Sequence, residues 1–332
     1  MHVGKNHGFH HGVRVLAVWM LGACASLAQA MVLPGPLVTP PWLHEHAAKV
    51  QIVDVRDNLD SLTNDPKFST VKGQKVLDEV GGHIPDALSV NFWGLRQKRD
   101  IQGRKVDFLM PTAEEFQASM RGVQLQQDKP IVVVPTGDDA TSLQEAAFFA
   151  WELQVFGVPP EQIAILDGGM HAWISAGYPV DTDAIAPMTS SKWTAKPADR
   201  KLLATTEDVQ AAQRSRALLL DARPLPQIVG LERTPVVPRA GRLAGAQPLP
   251  AELFYRNADD GSWRFLSAPV YRRVLAAGGV KRLAPGIVYC NTGQYAAGAW
   301  FVLDRIMALK GVRSYQGGMN EWEQRGLPVT PY

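Results

Sequence analysis

The sequence predicts an α/β protein built from two like domains, each a mainly parallel sheet flanked by helices. Three observations predict it. Short apolar strands alternate with helical segments along the chain, the pattern of parallel-sheet units. A Gly-Gly-Met-x-x-Trp-x-x-x-Gly-x-Pro-Val segment occurs twice, at 165–180 (ILDGGMHAWISAGYPV) and at 314–329 (SYQGGMNEWEQRGLPV), 149 residues apart. The length of 332 residues, 46% hydrophobic and 20% charged, supplies material for two cores.

The first 30 residues read as a targeting segment. Lys5 and Arg14 give a basic, acid-free start, Val15 to Leu27 is apolar, and Ala28-Gln29-Ala30 is a small-x-small cleavage site. The apolar run is short for a bilayer span. Export to the periplasm or medium with cleavage after Ala30 is therefore expected. Leu21-Gly22-Ala23-Cys24 also resembles a lipobox, which would instead make Cys24 a lipidated N-terminus and tether the chain to a membrane. The net charge is +2, and removing residues 1–30 takes away two positive charges and no negative ones. Without a Lys/Arg-rich run, nucleic acid is not an expected partner.

After the leader the two halves match element by element. VQIVDVRDN (50–58) and ALLLDARPL (217–225) are apolar strands ending in Asp-x-Arg. GGHIPDALSVNF (81–92) corresponds to AGRLAGAQPLPAELF (240–254). PIVVVPTGDDATSLQEAAFFAWELQVFG (130–157) corresponds to GIVYCNTGQYAAGAWFVLDRIMALKG (286–311), each a strand, a polar turn and a long helix. In the Gly-Gly segments a strand end, a turn and a short helix are expected, with Trp173 and Trp322 packed inward and a glycine ending the helix. The domains are placed at 37–182 and 202–332. The linker between them, 183–201, is polar, proline-containing and weakly periodic. Leu59 to Lys75 reads as an exposed loop.

The chemistry concentrates in one loop, Cys290-Asn291-Thr292-Gly293-Gln294-Tyr295-Ala296. The chain has two cysteines, Cys24 and Cys290. Cleavage after Ala30 leaves one, and a lone thiol in an exported protein points to reactivity, against the plainer role of a buried apolar side chain. Cys290 follows an apolar strand and opens a helix, where several backbone N–H groups lack helical partners. Those donors and the helix dipole are expected to stabilise an anion and lower the thiol pKa below its reference of about 8.5. No histidine occurs from Ser190 onward. His44, His46, His83 and His171 all lie in the first half, where surface or turn roles suffice, so activation without histidine is the simpler account. No Cys/His cluster or phosphate-binding glycine loop suggests a metal or organic cofactor.

These features together resemble the rhodanese superfamily, specifically tandem-domain thiosulfate or 3-mercaptopyruvate sulfurtransferases. The likeness covers nearly all of the chain after residue 36. It rests on the Cys-x-x-Gly-x-x-Ala loop, the Asp-x-Arg strand ends, His83-Ile84-Pro85-x-Ala87 and the two Gly-Gly-x-x-x-Trp closings. The resemblance implies a Cys290 persulfide cradled by the amides of Asn291 to Ala296, an active site facing the domain interface, and an inactive N-terminal domain. The corresponding first-half loop, Pro135 to Thr141, indeed has no cysteine and carries Asp138 and Asp139. It is expected to serve packing and shape the cleft, with a separate binding site there as the alternative. A small anionic sulfur donor and a thiol, cyanide or protein acceptor are the implied partners.

The loop departs from both familiar versions. Asn291, Thr292, Gln294 and Tyr295 are neither the basic set of thiosulfate enzymes nor the small-residue set of mercaptopyruvate enzymes. The family's second arginine falls on Gln227, with Arg233 and Arg239 nearby. Arg223 and Arg242 are candidate substrate contacts, against structural roles for each, that of Arg223 being to pair with Asp221. Tyr295 could line the entrance. A phosphatase of the Cys-x5-Arg type is disfavoured because Ala296 stands at the arginine position. A sulfur carrier or partner-binding module with little small-molecule turnover is the alternative to an enzyme.

Overall fold

The computed structural model describes residues 1–4, 32–185 and 189–331. The expected leader from residue 5 on, with its cleavage site and Cys24, falls outside the described residues. Met31–Tyr332 form one compact unit.

Two five-stranded parallel sheets have the same strand order. In the first the order across the sheet is Leu37–Val38, Ile163–Leu166, Ile131–Val134, Gln51–Arg56 and Leu88–Asn91. In the second it is Leu203–Ala204, Arg313–Tyr315, Ile287–Tyr289, Leu219–Asp221 and Gln247–Pro248. The sequence repeat is thus a repeat of topology. In both sheets the order reverses between the Asp-x-Arg strand and the central strand, and the crevice beyond the carboxyl ends at such a point is where open α/β sheets bind ligands.

The repeated motifs do the same work twice. Arg56 bonds both carboxylate oxygens of Asp54 at 2.6 Å and the Gly82 carbonyl at 2.7 Å. Arg223 bonds Asp221 at 2.9 and 2.6 Å and the Gly241 carbonyl at 2.9 Å. Each arginine ties the strand end to the connection that returns to the sheet. Trp173 and Trp322 are buried, and their indole N–H groups donate to the carbonyls of Pro179 (2.8 Å) and Pro328 (2.9 Å). Buried indole N–H groups need such partners, which fixes the Trp-to-Pro spacing of the motif.

The domains clasp each other reciprocally. The antiparallel hairpin Gln97–Ile101/Arg104–Leu109 reaches the second domain, where the Asp107 carbonyl accepts from Asn320 Nδ2 at 2.9 Å. The hairpin Tyr255–Asn257/Trp263–Phe265 reaches the first, with Trp263 donating to the Gly137 carbonyl at 2.8 Å. Between them the helices Ala140–Val155 and Gln294–Trp300 pack together. The former is apolar nearly all round because both its faces are covered. The second helix widens into a π-helical stretch, Phe301–Ile306. From that stretch Arg305 reaches the carbonyls of Pro160 and Ile163 in the first domain.

Leu59 to Lys75 is more ordered than the loop its polarity suggested. A 3-10 turn, Leu59–Thr63, leads into the hairpin Lys67–Val71/Gln74–Glu79. Both Lys72 (φ 50°) and Gly73 (φ 79°) are left-handed at its turn, as a two-residue hairpin connection requires. With both faces mostly solvated, its strands lack the apolar alternation that marks a half-buried strand. The segment between the domains runs along the first of them. Ser191 N–H donates to the Arg121 carbonyl and Lys196 N–H to that of Phe156, while Trp193 is buried edge-on against Phe116.

Glu152 lies in the middle of the interface helix with no exposure and no partner for either carboxyl oxygen. Burial pushes its pKa well above the ordinary value, with Arg96 opposing. The folded state therefore keeps a proton that the unfolded chain loses near pH 4.3. Stability must fall as pH rises from there toward the folded value, by at most about 1.4 kcal/mol per pH unit. Glu152→Gln removes this penalty. Its Tm should exceed that of the parent, with a wider gap at pH 9 than at pH 6; a gap independent of pH would contradict the assignment.

Candidate active site

Cys290 stands directly after the central strand Ile287–Tyr289, at the reversal point of the second sheet. The loop Asn291–Gly293 turns the chain into the helix Gln294–Trp300. Gly293 adopts φ +91°, and a Cβ there would overlap the Gln316 side chain. Its N–H points back to Cys290 Sγ at 3.1 Å. The N–H groups of Thr292 and Ala296 also face the sulfur. The thiol is fully buried.

The Gly-Gly turn holds the loop from behind. Gly318 adopts φ +56°, and a Cβ there would lie 2.5 Å from the carbonyl oxygens of Cys290 and Asn291. Those carbonyls accept from the N–H groups of Met319 (2.9 Å) and Asn320 (3.0 Å). The first domain repeats the device, with Met170 and His171 donating to the carbonyls of Pro135 and Thr136. The glycines let the turn approach the backbone of the strand-to-helix loop, and the repeated segment is a loop clamp.

The remaining support comes from the other domain. Arg96 donates to the Thr292 carbonyl and, at 3.1 Å, to that of Phe108. Its guanidinium lies 4.8 Å from the Phe148 ring centroid, 5.4 Å from that of Phe92 and 5.6 Å from that of Phe108. Burial lowers its pKa to about 10, which leaves it charged at neutral pH. It is the described cation whose charge acts on Cys290 most directly. Sequence reasoning missed it. Arg96 lies in the domain without a cysteine, 196 residues before its bonding partner, and no motif marks it.

One expectation is corrected. The loop amides do favour the thiolate, and so does Arg96, but burial outweighs them and pushes the Cys290 thiol up. The low pKa foreseen from the strand-to-helix turn presumed a partly solvated thiol, and packing against the first domain closes that access. The candidate arginines are engaged within the fold. Arg223 is buried and committed through Nε and Nη2 to Asp221 and Gly241. Arg242 pairs through its backbone with Thr330, and no side-chain bond brings it to the loop. Arg233 and Arg239 bond elsewhere, Arg233 to the Pro238 carbonyl and Arg239 to Glu323 and the Leu327 carbonyl.

The other loop residues fall into two groups. Asn291 is buried and donates to Gln227 Oε1 at 2.7 Å, so the glutamine at the position of the second arginine braces the loop. Asn291 Oδ1 and Gln316 Oε1 remain buried without partners. Tyr295 is half-buried and, with Gln144, Pro224, Tyr255 and Trp263, lines an interdomain cleft of about 360 Å3. The four histidines of the first domain engage other groups: His44 stacks on Tyr178, His46 on Trp42, His83 bonds the Ile84 and Asp183 carbonyls, and His171 faces Ser175.

The rhodanese-like domain model matches residues 39–176 and again 205–325. The chain belongs to the rhodanese-like family. It is 28% identical over 312 residues to a protein of Mycobacterium leprae named as a thiosulfate sulfurtransferase, covering 90% of this chain and 91% of the relative. It is 26% identical over 294 residues to the 3-mercaptopyruvate sulfurtransferase of Escherichia coli, covering 87% and 96%. The crystal structure of an Escherichia coli 3-mercaptopyruvate enzyme shares the fold, with a TM-score of 0.66 at 21% identity over 86% of this chain and 98% of that one. So does the anaerobic ergothioneine biosynthesis enzyme of Chlorobium limicola, with a TM-score of 0.66 at 18% identity over 89% and 70%. Like these rhodanese-type relatives, the chain is a sulfurtransferase of two rhodanese-like domains.

The loop clamp makes a direct prediction. Gly318→Ala meets both an unfavourable φ and two carbonyl oxygens, and should cost about 2–4 kcal/mol of stability. Gly73→Ala, at an open hairpin turn with nothing near its Cβ, bears the φ strain alone. Urea denaturation should rank the two in that order; equal losses would show that the clamp contact is not tight.

Proposed function

We propose that this sulfurtransferase works outside the cytoplasm through a persulfide on Cys290, taking sulfur from a small anionic donor such as thiosulfate or 3-mercaptopyruvate. The observation that carries the reading is a single buried cysteine at the carboxyl end of a central strand, its sulfur faced by loop N–H groups and by the charge of Arg96. The Cys290 thiolate attacks the outer sulfur of the donor. A Cys290 S–S bond forms as the donor's S–S or C–S bond breaks, releasing sulfite or the enolate of pyruvate, which then takes a proton. An acceptor thiolate or cyanide attacks the outer sulfur, and the Cys290 thiolate returns.

Because burial raises the thiol pKa, the donor must meet Cys290 in a site that supplies the missing stabilisation. Arg96 and the loop amides are preorganised for this, and such fixed donors count for more where water is excluded. The unpartnered Asn291 Oδ1 and Gln316 Oε1 are acceptors. They favour a donor that brings a hydrogen-bond donor of its own or a bridging water over a bare anion. Export rests on the basic, apolar and Ala-x-Ala pattern of residues 1–30, with lipidation at Cys24 as the second route out of the cytoplasm.

Intact mass of the exported protein tests these points together. After incubation with thiosulfate or 3-mercaptopyruvate, a gain of one sulfur (~32 Da) is expected on a chain starting at Met31. Cys290→Ser should show neither the gain nor sulfur transfer to cyanide or dithiothreitol. Full turnover by Cys290→Ser would overturn the persulfide. A chain that retains residues 1–30 without lipid would overturn the export reading.

A further inference from the structure

The first domain has a cleft at the position equivalent to the active site, and its polarity is reversed. It lies beyond the carboxyl ends of Ile131–Val134 and Gln51–Arg56 and encloses about 360 Å3. Where the second domain aims loop amides at a sulfur, this loop begins with Pro135, which has no N–H, and the Gly137 N–H is taken by Ser142 Oγ at 3.0 Å. Asp138 and Asp139 line the cleft from the loop, Asp57 from the strand end, and Asp65 and Asp78 from the neighbouring segments. The one arginine in its wall, Arg56, is already neutralised by Asp54. Glu79 is paired with Lys67.

Glu145 forms the floor. It is 4% exposed, lines the cleft, and makes no hydrogen bond or ion pair among the described residues. Its carboxyl pKa is pushed up to about 8, by burial first and then by Asp57, Asp139 and Asp138, with Arg96 as the one opposing charge. A buried carboxyl facing further carboxylates, opposed by Arg96 alone, is costly to ionise, and keeps its proton unless a cation joins it. Among the described residues no three His, Cys, Asp or Glu side chains converge closely enough to hold a metal ion. The acids surround a volume instead of a point.

We propose that this cleft of the cysteine-free domain is a receptor for a small organic cation bearing an ammonium or guanidinium group, with Glu145 as its buried anchor. The domain is then a binding module beside the sulfur-transfer centre.

Calorimetry on the full chain tests this, with 1,5-diaminopentane as probe and 1,5-pentanediol as the neutral control. The diamine should bind saturably and the diol should not. Glu145→Gln should weaken the diamine about tenfold or more. Asp57→Asn, at the exposed rim, should weaken it severalfold and leave the alkylation rate of Cys290 unchanged. Binding a cation to Glu145 displaces its proton, so the parent's affinity should rise between pH 6 and pH 9, and that rise should vanish in Glu145→Gln. Capped lysine run in parallel separates the sources: tighter binding than the diamine marks a partner's side chain, weaker binding a free amine. Equal binding of diamine and diol, or diamine binding unchanged in both variants, would overturn the proposal. So would the absence of saturable binding at millimolar diamine.

Discussion

The bond from Arg96 to the Thr292 carbonyl joins the domain without a cysteine to the loop that carries one. Its geometry explains why the chain has two domains when one holds the thiol. A cysteine buried this deeply cannot ionise easily on loop amides alone, because desolvation costs more than those donors return. The first domain both adds to the burial and supplies the counter-charge. Arg96 is itself kept in place by three aromatic rings and the Phe108 carbonyl, all from its own domain. The interface that hides the thiol thus also delivers the positive charge beside it.

The rest of the fold keeps that juxtaposition fixed. The reciprocal hairpins and the packed helices Ala140–Val155 and Gln294–Trp300 leave the domains little freedom to slide. The Gly-Gly clamp holds the cysteine loop from its own side through Met319 and Asn320, and Asn320 also bonds the Asp107 carbonyl of the first domain's hairpin. One short segment therefore grips the loop and the neighbouring domain together.

Much of this was legible in the sequence because it is written twice. The Asp-x-Arg and Gly-Gly-x-x-x-Trp segments recur in register, so the succession of strands and helices, the loop position and the inward tryptophans could be anticipated from residue spacing. Cys290 stood out through the rarity of cysteine. What could not be read depends on contacts between halves. Nothing local to Leu95-Arg96-Gln97 distinguishes Arg96 from the surface charges after it, and its role exists only once the hairpin crosses the interface. The direction of the Cys290 pKa was misjudged for the same reason, since the cover over the thiol is tertiary. The Lys67–Glu79 hairpin was missed because solvated strands carry no apolar alternation, although Lys72-Gly73 is a turn pair.

The central claim is that Arg96, from one domain, favours the Cys290 thiolate in the other. The pH dependence of Cys290 alkylation by iodoacetamide, in the parent, Arg96→Lys and Arg96→Met, tests it most directly. A positive charge favours the thiolate, so its removal must raise the thiol pKa further. The parent should show a midpoint above that of an unperturbed thiol, about 8.5. Arg96→Met should move it higher still, and Arg96→Lys should restore part of the difference. A midpoint in Arg96→Met equal to or below that of the parent, in a protein that remains folded, would contradict the account.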